Sequence, residues 1–289
     1  MGEKTGFIGL GVMGAPMAGH LQASGHDVVV YNRTRAKAAA WVARHGGSMA
    51  ATPSEAADGA AYVCVCVGGD DDVREVICDA DGALAGMAAG AVLIDHTTAS
   101  ATLAREIHQK ARHVGVEFLD APVSGGQAGA ENGRLSVMVG GSAAAFDRAL
   151  PILRSYSASV KHMGEAGTGQ LTKMANQICI AGLIQALSEG LAFARHVGLD
   201  PTAVVDAISG GAARSWQMEN RAQTMIDGSF DFGFAVDWMR KDLAMALAEA
   251  EERGLDLPVT RVVDGFYAEV QAAGGGRWDT SSLITRLAG

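Results

Sequence analysis

The chain has 289 residues, 48% of them hydrophobic and 19% charged, enough to bury one large core or two smaller ones. A formal net charge of −9 excludes a general affinity for nucleic acid, so a phosphate ligand has to be recognised residue by residue. There is no uninterrupted apolar run of about 18 residues, and the opening MGEKTGFIGLG passes at once into a strand; both features point to a cytoplasmic protein. A myristoyl anchor is not indicated, since Gly6 stands where that pattern needs Ser or Thr.

From residue 5 to about 163, short β-branched runs alternate with helical stretches. Thr5 to Ile8, Val28 to Tyr31, Tyr62 to Val67, Val92 to Asp95 and Phe118 to Asp120 read as strands, and Arg134 to Val139 and a segment near Val160 extend the series. This order predicts an α/β unit with a doubly wound, mainly parallel sheet. Cys64 and Cys66 lie in an apolar run and read as reduced core thiols, because no His or Cys cluster stands nearby to complete a metal site.

After Gly167 the pattern becomes helical throughout. Gln170 to Val197 has no proline and is apolar on several sides, as a long helix bridging two domains would be. Asp200-Pro201 caps the next helix, and further helices are expected over Ala212 to Ile226, Val236 to Arg253 and Val259 to Ala273. Gly254 and Gly274 to Gly276 supply the stops. The expected division is 1–163 for the α/β domain and 164–289 for an all-α domain.

Gly9-Leu10-Gly11-Val12-Met13-Gly14 follows the first strand and opens a helix. In that setting the glycines permit a tight turn, close approach of a pyrophosphate and close helix packing, so a dinucleotide is expected there. At the end of the second strand, where a carboxylate would grip the ribose of NAD, stands Asn32, followed by Arg33, Thr34 and Arg35. Guanidinium charge and a hydroxyl with no carboxylate favour NADP; if the arginines only solvate a helix start, NAD stays open.

Two further segments carry polar groups that suit a small anionic substrate. In Asp120-Ala121-Pro122-Val123-Ser124-Gly125-Gly126 the Ser124 hydroxyl and the amides of Gly125 and Gly126 suit a carboxylate, although a purely structural turn has the same composition. The run then continues through Gln127 to Ala130 without a strong helix former. In Gly167 to Gln177, Lys173 and Asn176 are three apart and share a helix face; taken alone, such a lysine reads as a solvated surface residue. Met239-Arg240-Lys241-Asp242-Leu243-Ala244 by itself reads as a charged helix face.

Taken together, Gly9 to Gly14, Asp120 to Gly126, Gly167 to Asn176 and Lys241-Asp242-Leu243 resemble the β-hydroxyacid dehydrogenase family, which includes 3-hydroxyisobutyrate dehydrogenase and the tartronate, glyoxylate and succinic semialdehyde reductases. The resemblance spans nearly the whole chain. It implies an NAD(P)-binding Rossmann domain followed by a helical substrate and dimerisation domain. It also implies an NADP- or NAD-dependent oxidoreductase that interconverts a small β-hydroxyacid and its semialdehyde or oxoacid. Lys173 would be the catalytic acid or base, Ser124, Gly125, Gly126 and Asn176 would hold substrate, Thr98 would lie with the cofactor, and Lys241 would face both. For the first role Lys173 must be less basic than an ordinary lysine, which burial and a nearby Lys241 would bring about.

The chain departs from many relatives in having Gln177 where they have a second Asn, and Thr97-Thr98 where they have a Ser-Thr pair, which leaves fine substrate preference open. His96 is expected as a strand-end residue near the nicotinamide, pointing away from Asp95. Trp216, Met218, Phe232, Phe234 and Trp238 are pocket candidates that composition alone assigns to a core, and Asp237 has the spacing to pair with Lys241. The rival readings are an imine reductase, against which Lys173 weighs; a 6-phosphogluconate dehydrogenase, which is longer in its helical part; and a non-catalytic NADP-binding or assembly module. A homodimer or homotetramer is expected from the apolar surface of the long helix, with a small carboxylate as ligand and neither nucleic acid nor membrane as partner.

Overall fold

The computed structural model describes residues 2–287, which form two compact units divided between Lys173 and Met174. The first unit opens with β1 (Lys4–Ile8), α1 (Gly14–Ala23), β2 (Asp27–Tyr31), α2 (Arg35–His45), β3 (Ser48–Met49), α3 (Pro53–Ala57), β4 (Tyr62–Val65), α4 (Asp70–Cys78) and α5 (Ala83–Gly86). It continues with β5 (Val92–Asp95), α6 (Ala101–His113), β6 (Glu117–Asp120), β7 (Val123–Ser124), α7 (Gly126–Glu131), β8 (Leu135–Gly141), α8 (Ala143–Arg154) and β9 (Ser157–Gly164), and it includes the start of α9 (Thr168–His196).

The strands form one sheet in the order β3-β2-β1-β4-β5-β6-β8-β7, with β9 on β8. Pairing is parallel from β3 to β6; β8 runs antiparallel to β6 and β7, and β9 parallel to β8. The chain first builds outward from β1 to β3, then returns to add β4 on the other side of β1. That reversal makes the carboxyl ends of β1 and β4 the topological switch point, the place where open α/β sheets bind ligands.

Alternation along each strand feeds two cores, one on each face of the sheet. Phe7, Val30, Cys64, Ile94 and Leu119 pack on one side, and Ile8, Val29, Val65, Leu93 and Phe118 on the other. Full burial of each such Leu, Ile or Phe side chain contributes about 1.5–3 kcal/mol. A sheet so supported tolerates the cost of two buried carboxylates at its carboxyl edge, Asp95 and Asp120, which are register partners on β5 and β6. The Cys64 thiol is fully buried, and burial pushes it up to about 12, as suits a core thiol.

The second unit holds the rest of α9, α10 (Pro201–Ile208), α11 (Trp216–Asp227), α12 (Val236–Glu252), α13 (Pro258–Val270), a π-turn over Gln271–Gly275 and a 3-10 segment over Thr280–Leu287. Asp200 accepts the Thr202 amide at 3.0 Å and Pro201 follows at the first helical position, as the sequence predicts. The helix expected from Ala212 starts later, at Trp216, because Ser215 takes the cap by accepting the Met218 amide. The stretch after Gly126, expected as an open loop, forms the short helix α7. The first unit runs past the boundary expected at residue 163, because the opening turn of α9 is hydrogen-bonded to residues at the ends of β5 and β6.

Candidate active site

The glycine loop after β1 separates into glycines that the protein itself requires and one that it does not. Gly9 has φ +97°, and a Cβ there would stand 2.1 Å from the Cys66 carbonyl oxygen; a Cβ on Gly14 would stand 2.0 Å from the Gly9 carbonyl oxygen. A Cβ on Gly11 would meet nothing within 4 Å. The space over Gly11 is therefore open to a ligand, with Val12 59% exposed beside it and no side chain capping α1. Such a cradle at a helix start fits the pyrophosphate of a dinucleotide.

Asn32 braces this loop: its Oδ1 accepts the Leu10 amide at 2.9 Å and its Nδ2 donates to the Thr34 carbonyl at 3.1 Å. Thr34 is the N-cap of α2, exposed and without a capping bond from its hydroxyl. Arg33 is not in a carboxylate-free setting, as the local sequence implied. Asp72 and Glu75 of α4 stand 3.4 Å and 3.8 Å from its guanidinium. All three are substantially exposed, so the pairing is weak and leaves the charge available to a competing anion.

At the end of β5, Asp95 accepts the Thr97 amide at 2.9 Å, and burial pushes its carboxyl up to about 7 against the pull of the Thr97 hydrogen bonds. His96 points the other way, as expected, yet it is buried and both ring nitrogens are engaged by the protein. Nδ1 lies 2.7 Å from the Ala121 carbonyl oxygen, which only accepts, so Nδ1 carries the hydrogen and Nε2 accepts the Tyr156 hydroxyl at 2.8 Å. Burial pushes this histidine down to about 4 and keeps it neutral, so it buttresses the Ala121 segment and leaves no ring nitrogen for a ligand. The Thr97 hydroxyl oxygen accepts the Val67 amide at 3.1 Å, and Thr98 is half-buried at the following position.

The Asp120 carboxylate receives the Gly167 amide at 2.7 Å and the Gln170 amide at 2.9 Å, both at the start of α9. Burial pushes this carboxyl up to about 6, opposed by those amide bonds. Gln170 is buried; its Oε1 accepts the Ala99 amide at 3.1 Å and its Nε2 donates to the Thr97 carbonyl at 2.7 Å. Lys173 follows on the same helix and is 7% exposed, contrary to the solvated lysine that isolated reading suggests. Ser124 ends β7 opposite Ser136, and Gly125 and Gly126 follow with φ +132° and +62°, two successive positive values that only glycine adopts readily. His20 of α1 donates from Nε2 to the Ala130 and Glu131 carbonyls at 3.0 Å, which ties the helix after the glycine loop to α7.

Within the second unit, Asn176 donates to Gln177 at 2.8 Å, and Gln177 donates to the buried Asp242 at 2.7 Å. Lys241 lies 3.3 Å from Asp242 and 5.7 Å from the centre of the Trp238 ring. Gln177 is itself buried and reaches α12 through that bond. Asp237 does not pair with Lys241; it accepts Gln271 Nε2 at 2.6 Å. Of the pocket candidates, Met218 and Phe234 belong to apolar cores, whereas Trp216 and Phe232 both lie against the Arg221 guanidinium, 4.9 Å and 5.0 Å from the ring centres. Arg221 is paired with the buried Asp279, which also accepts the Phe234 amide. Sequence reading missed this pair, as it missed Tyr156 and Gln170, because each partner is remote along the chain.

Residues 4–164 match the family described as the NAD binding domain of 6-phosphogluconate dehydrogenase, and residues 167–287 that described as NAD-binding of NADP-dependent 3-hydroxyisobutyrate dehydrogenase. The chain is 60% identical over 284 residues to an uncharacterized oxidoreductase of Shewanella frigidimarina, covering 98% of each. It is 35% identical over 284 residues to the 2-hydroxy-3-oxopropionate reductase of Escherichia coli, covering 98% of this chain and 97% of that one. Among solved structures, a 3-hydroxyisobutyrate dehydrogenase of Mycobacterium tuberculosis, solved with L-serine, superposes with a TM-score of 0.90 at 32% identity over 100% of both chains.

Proposed function

The chain belongs to the β-hydroxyacid dehydrogenase family of NAD(P)-dependent oxidoreductases, and on that premise we propose that it interconverts a small β-hydroxyacid and the corresponding semialdehyde or oxoacid, with Lys173 as general acid and base. The observation that carries this reading is the burial of Lys173 on a helix whose first turn is fastened to the ends of β5 and β6. An amine held there is shielded from water and presented in one orientation, as proton transfer in a transition state requires.

The residues from Gly9 to Gly14, with Arg33, Thr34 and Thr98 and with Asn32 bracing the loop, would hold a nicotinamide cofactor, which would supply or take up the hydride. In oxidation Lys173, as the neutral amine, removes the proton of the substrate hydroxyl as hydride leaves the carbon that bears that hydroxyl. In reduction its ammonium returns that proton to the carbonyl oxygen. Ser124 and the amides of Gly125 and Gly126 bind the substrate carboxylate, and Asn176 and Lys241 orient the substrate. L-Serine, present in the Mycobacterium tuberculosis structure, is itself a small β-hydroxyacid and is the first compound to try.

The test is the nicotinamide absorbance change with L-serine, 3-hydroxyisobutyrate, 3-hydroxypropionate and glycerate for oxidation, and glyoxylate, tartronate semialdehyde and succinic semialdehyde for reduction, each with both cofactors. Lys173→Ala is expected to lose about 10²–10⁴-fold in kcat while still binding cofactor. Near-normal turnover in that variant would remove Lys173 from the chemistry.

A further inference from the structure

We propose that Asp120 and Gln170 are positioning residues for Lys173: together they lock the first turn of α9 onto the ends of β5 and β6 and so set where the lysine amine stands. This inference rests on the reading of Lys173 given above. It joins two sequence motifs into one device, since the aspartate that opens the Asp120 to Gly126 segment is the group that caps the helix carrying the lysine.

The fastening has three anchors in the first unit. The Asp120 carboxylate takes the Gly167 amide on one oxygen and the Gln170 amide on the other, at 2.7 Å and 2.9 Å. A carboxylate at a helix N-terminus has the favourable sign there and offsets the adverse placement of a lysine so near that end. The Gln170 side chain then closes on the strand-end loop from both sides, accepting Ala99 N–H and donating to Thr97 O.

Gly140 of β8 and Gly169 of α9 both leave room beside Asp120. A Cβ on Gly169 would stand 2.5 Å from the Met138 carbonyl oxygen, 2.6 Å from that of Asp120 and 2.8 Å from the Asp120 Oδ2, and a Cβ on Gly140 would stand 2.4 Å from the Asp120 Oδ1. Gly167 turns into the helix with φ +95°. The absence of side chains at Gly140 and Gly169 thus lets β8 and α9 close around Asp120. Gln170 and Lys173 are three residues apart on a stiff helix, so an error at the anchor is carried directly to the amine. A displacement of about 1 Å at a reacting group costs on the order of a hundredfold in rate.

The experiment is a double-mutant cycle on turnover. Asp120→Asn and Gln170→Met are made alone and on the Lys173→Ala background, and assayed at saturating cofactor with the member of the panel above that the wild type turns over fastest. Cofactor affinity is read separately from protein fluorescence quenching. Each single variant is expected to bind cofactor as the wild type does and to lose about ten- to a hundredfold in kcat with KM little changed. On the Lys173→Ala background the same substitutions are expected to cost nothing further in the residual rate, because the group they position is gone. Equal losses on both backgrounds would make Asp120 and Gln170 general supports of the site and overturn the inference, as would unchanged kcat in both single variants. Gln170→Met keeps the side-chain length and carries the test if Asp120→Asn does not fold. Wild-type turnover in Lys173→Ala alone would remove the acid-base reading itself, a result distinct from failure of the cycle, and this inference would fall with it.

Discussion

The Tyr156 hydroxyl donates to Nε2 of His96 across 2.8 Å in a site sealed from solvent, and the other ring nitrogen of that histidine holds the Ala121 carbonyl. The pair thus links the core beneath the sheet to the segment that leads into Ser124. Tyr156→Phe removes the donor and leaves a buried imidazole nitrogen unsatisfied. The expected loss of stability is about 1–3 kcal/mol, read from urea unfolding at pH 8, with little change in cofactor affinity. A stability within error of the wild type would mean that the hydroxyl contributes nothing there.

The pH dependence of folding contains two opposed contributions. His96 is held at about 4 by burial, against an ordinary value of 6.5, so between these limits the unfolded chain binds a proton that the folded chain does not. Its contribution to stability rises with pH through that window and is lost as pH falls. Asp95 and Asp120 have the opposite sign. Burial raises them to about 7 and about 6 from an ordinary 3.8, so the folded chain keeps protons that the unfolded chain has released, and their contribution weakens as pH rises. Replacing His96 by Gln removes only the first contribution. The wild-type advantage over His96→Gln should therefore grow with pH from about 4.5 to 6, by no more than about 1.4 kcal/mol per pH unit. An advantage that is flat, or that shrinks, would show that His96 is not neutral in the folded protein.

How much of this was legible in the chain depended on distance along it. The five main parallel strands and the long helix follow from apolar period and length, and Gly9 to Gly14 follows from its place after β1. The two-residue strands β3 and β7 carry no period of their own; they exist because a neighbour offers hydrogen bonds. Asp120 was visible only as the start of a loop, since its partners stand 47 and 50 positions later. His96 and Tyr156 are 60 apart, and nothing local to either announces the other. Arg33 looked free of carboxylates for the same reason: Asp72 lies 39 residues on, in a helix brought alongside by the β1–β4 crossover.

That last pairing bears on cofactor choice. Arg33 and Asp72 are exposed, so their attraction contributes at most about 1 kcal/mol, whereas a guanidinium on a 2′-phosphate gains about 1.5–3 kcal/mol. On these magnitudes a 2′-phosphate would displace Asp72 from Arg33. Arg33→Ala is expected to raise KM for NADP about tenfold or more and to leave KM for NAD nearly unchanged. Asp72→Asn is expected to shift the preference slightly the other way, towards NADP. Equal effects on both cofactors in steady-state kinetics would place Arg33 outside the 2′-phosphate site.

The last expectation concerns assembly. Over its most apolar stretch α9 has a mean hydropathy of 1.4, and only 39% of that stretch is buried. Leu183 and Phe193 on this helix, with Val197, Leu199 and Ile208 beyond it, are 40–65% exposed, and a groove between α9 and α10 is lined by Leu183, Leu187, Leu191 and Ile208. Exposed apolar side chains beside an apolar groove are rarely left to water. A second copy of the chain is the expected cover, since self-association through one shared patch is the commonest way such a face is buried. Light scattering after gel filtration should give at least a dimer at micromolar concentration. Leu183→Glu with Phe193→Glu should shift it towards monomer, because two charges in an apolar interface lose hydration without gaining partners. A wild-type monomer under those conditions would leave this face to some other occupant and remove the expectation.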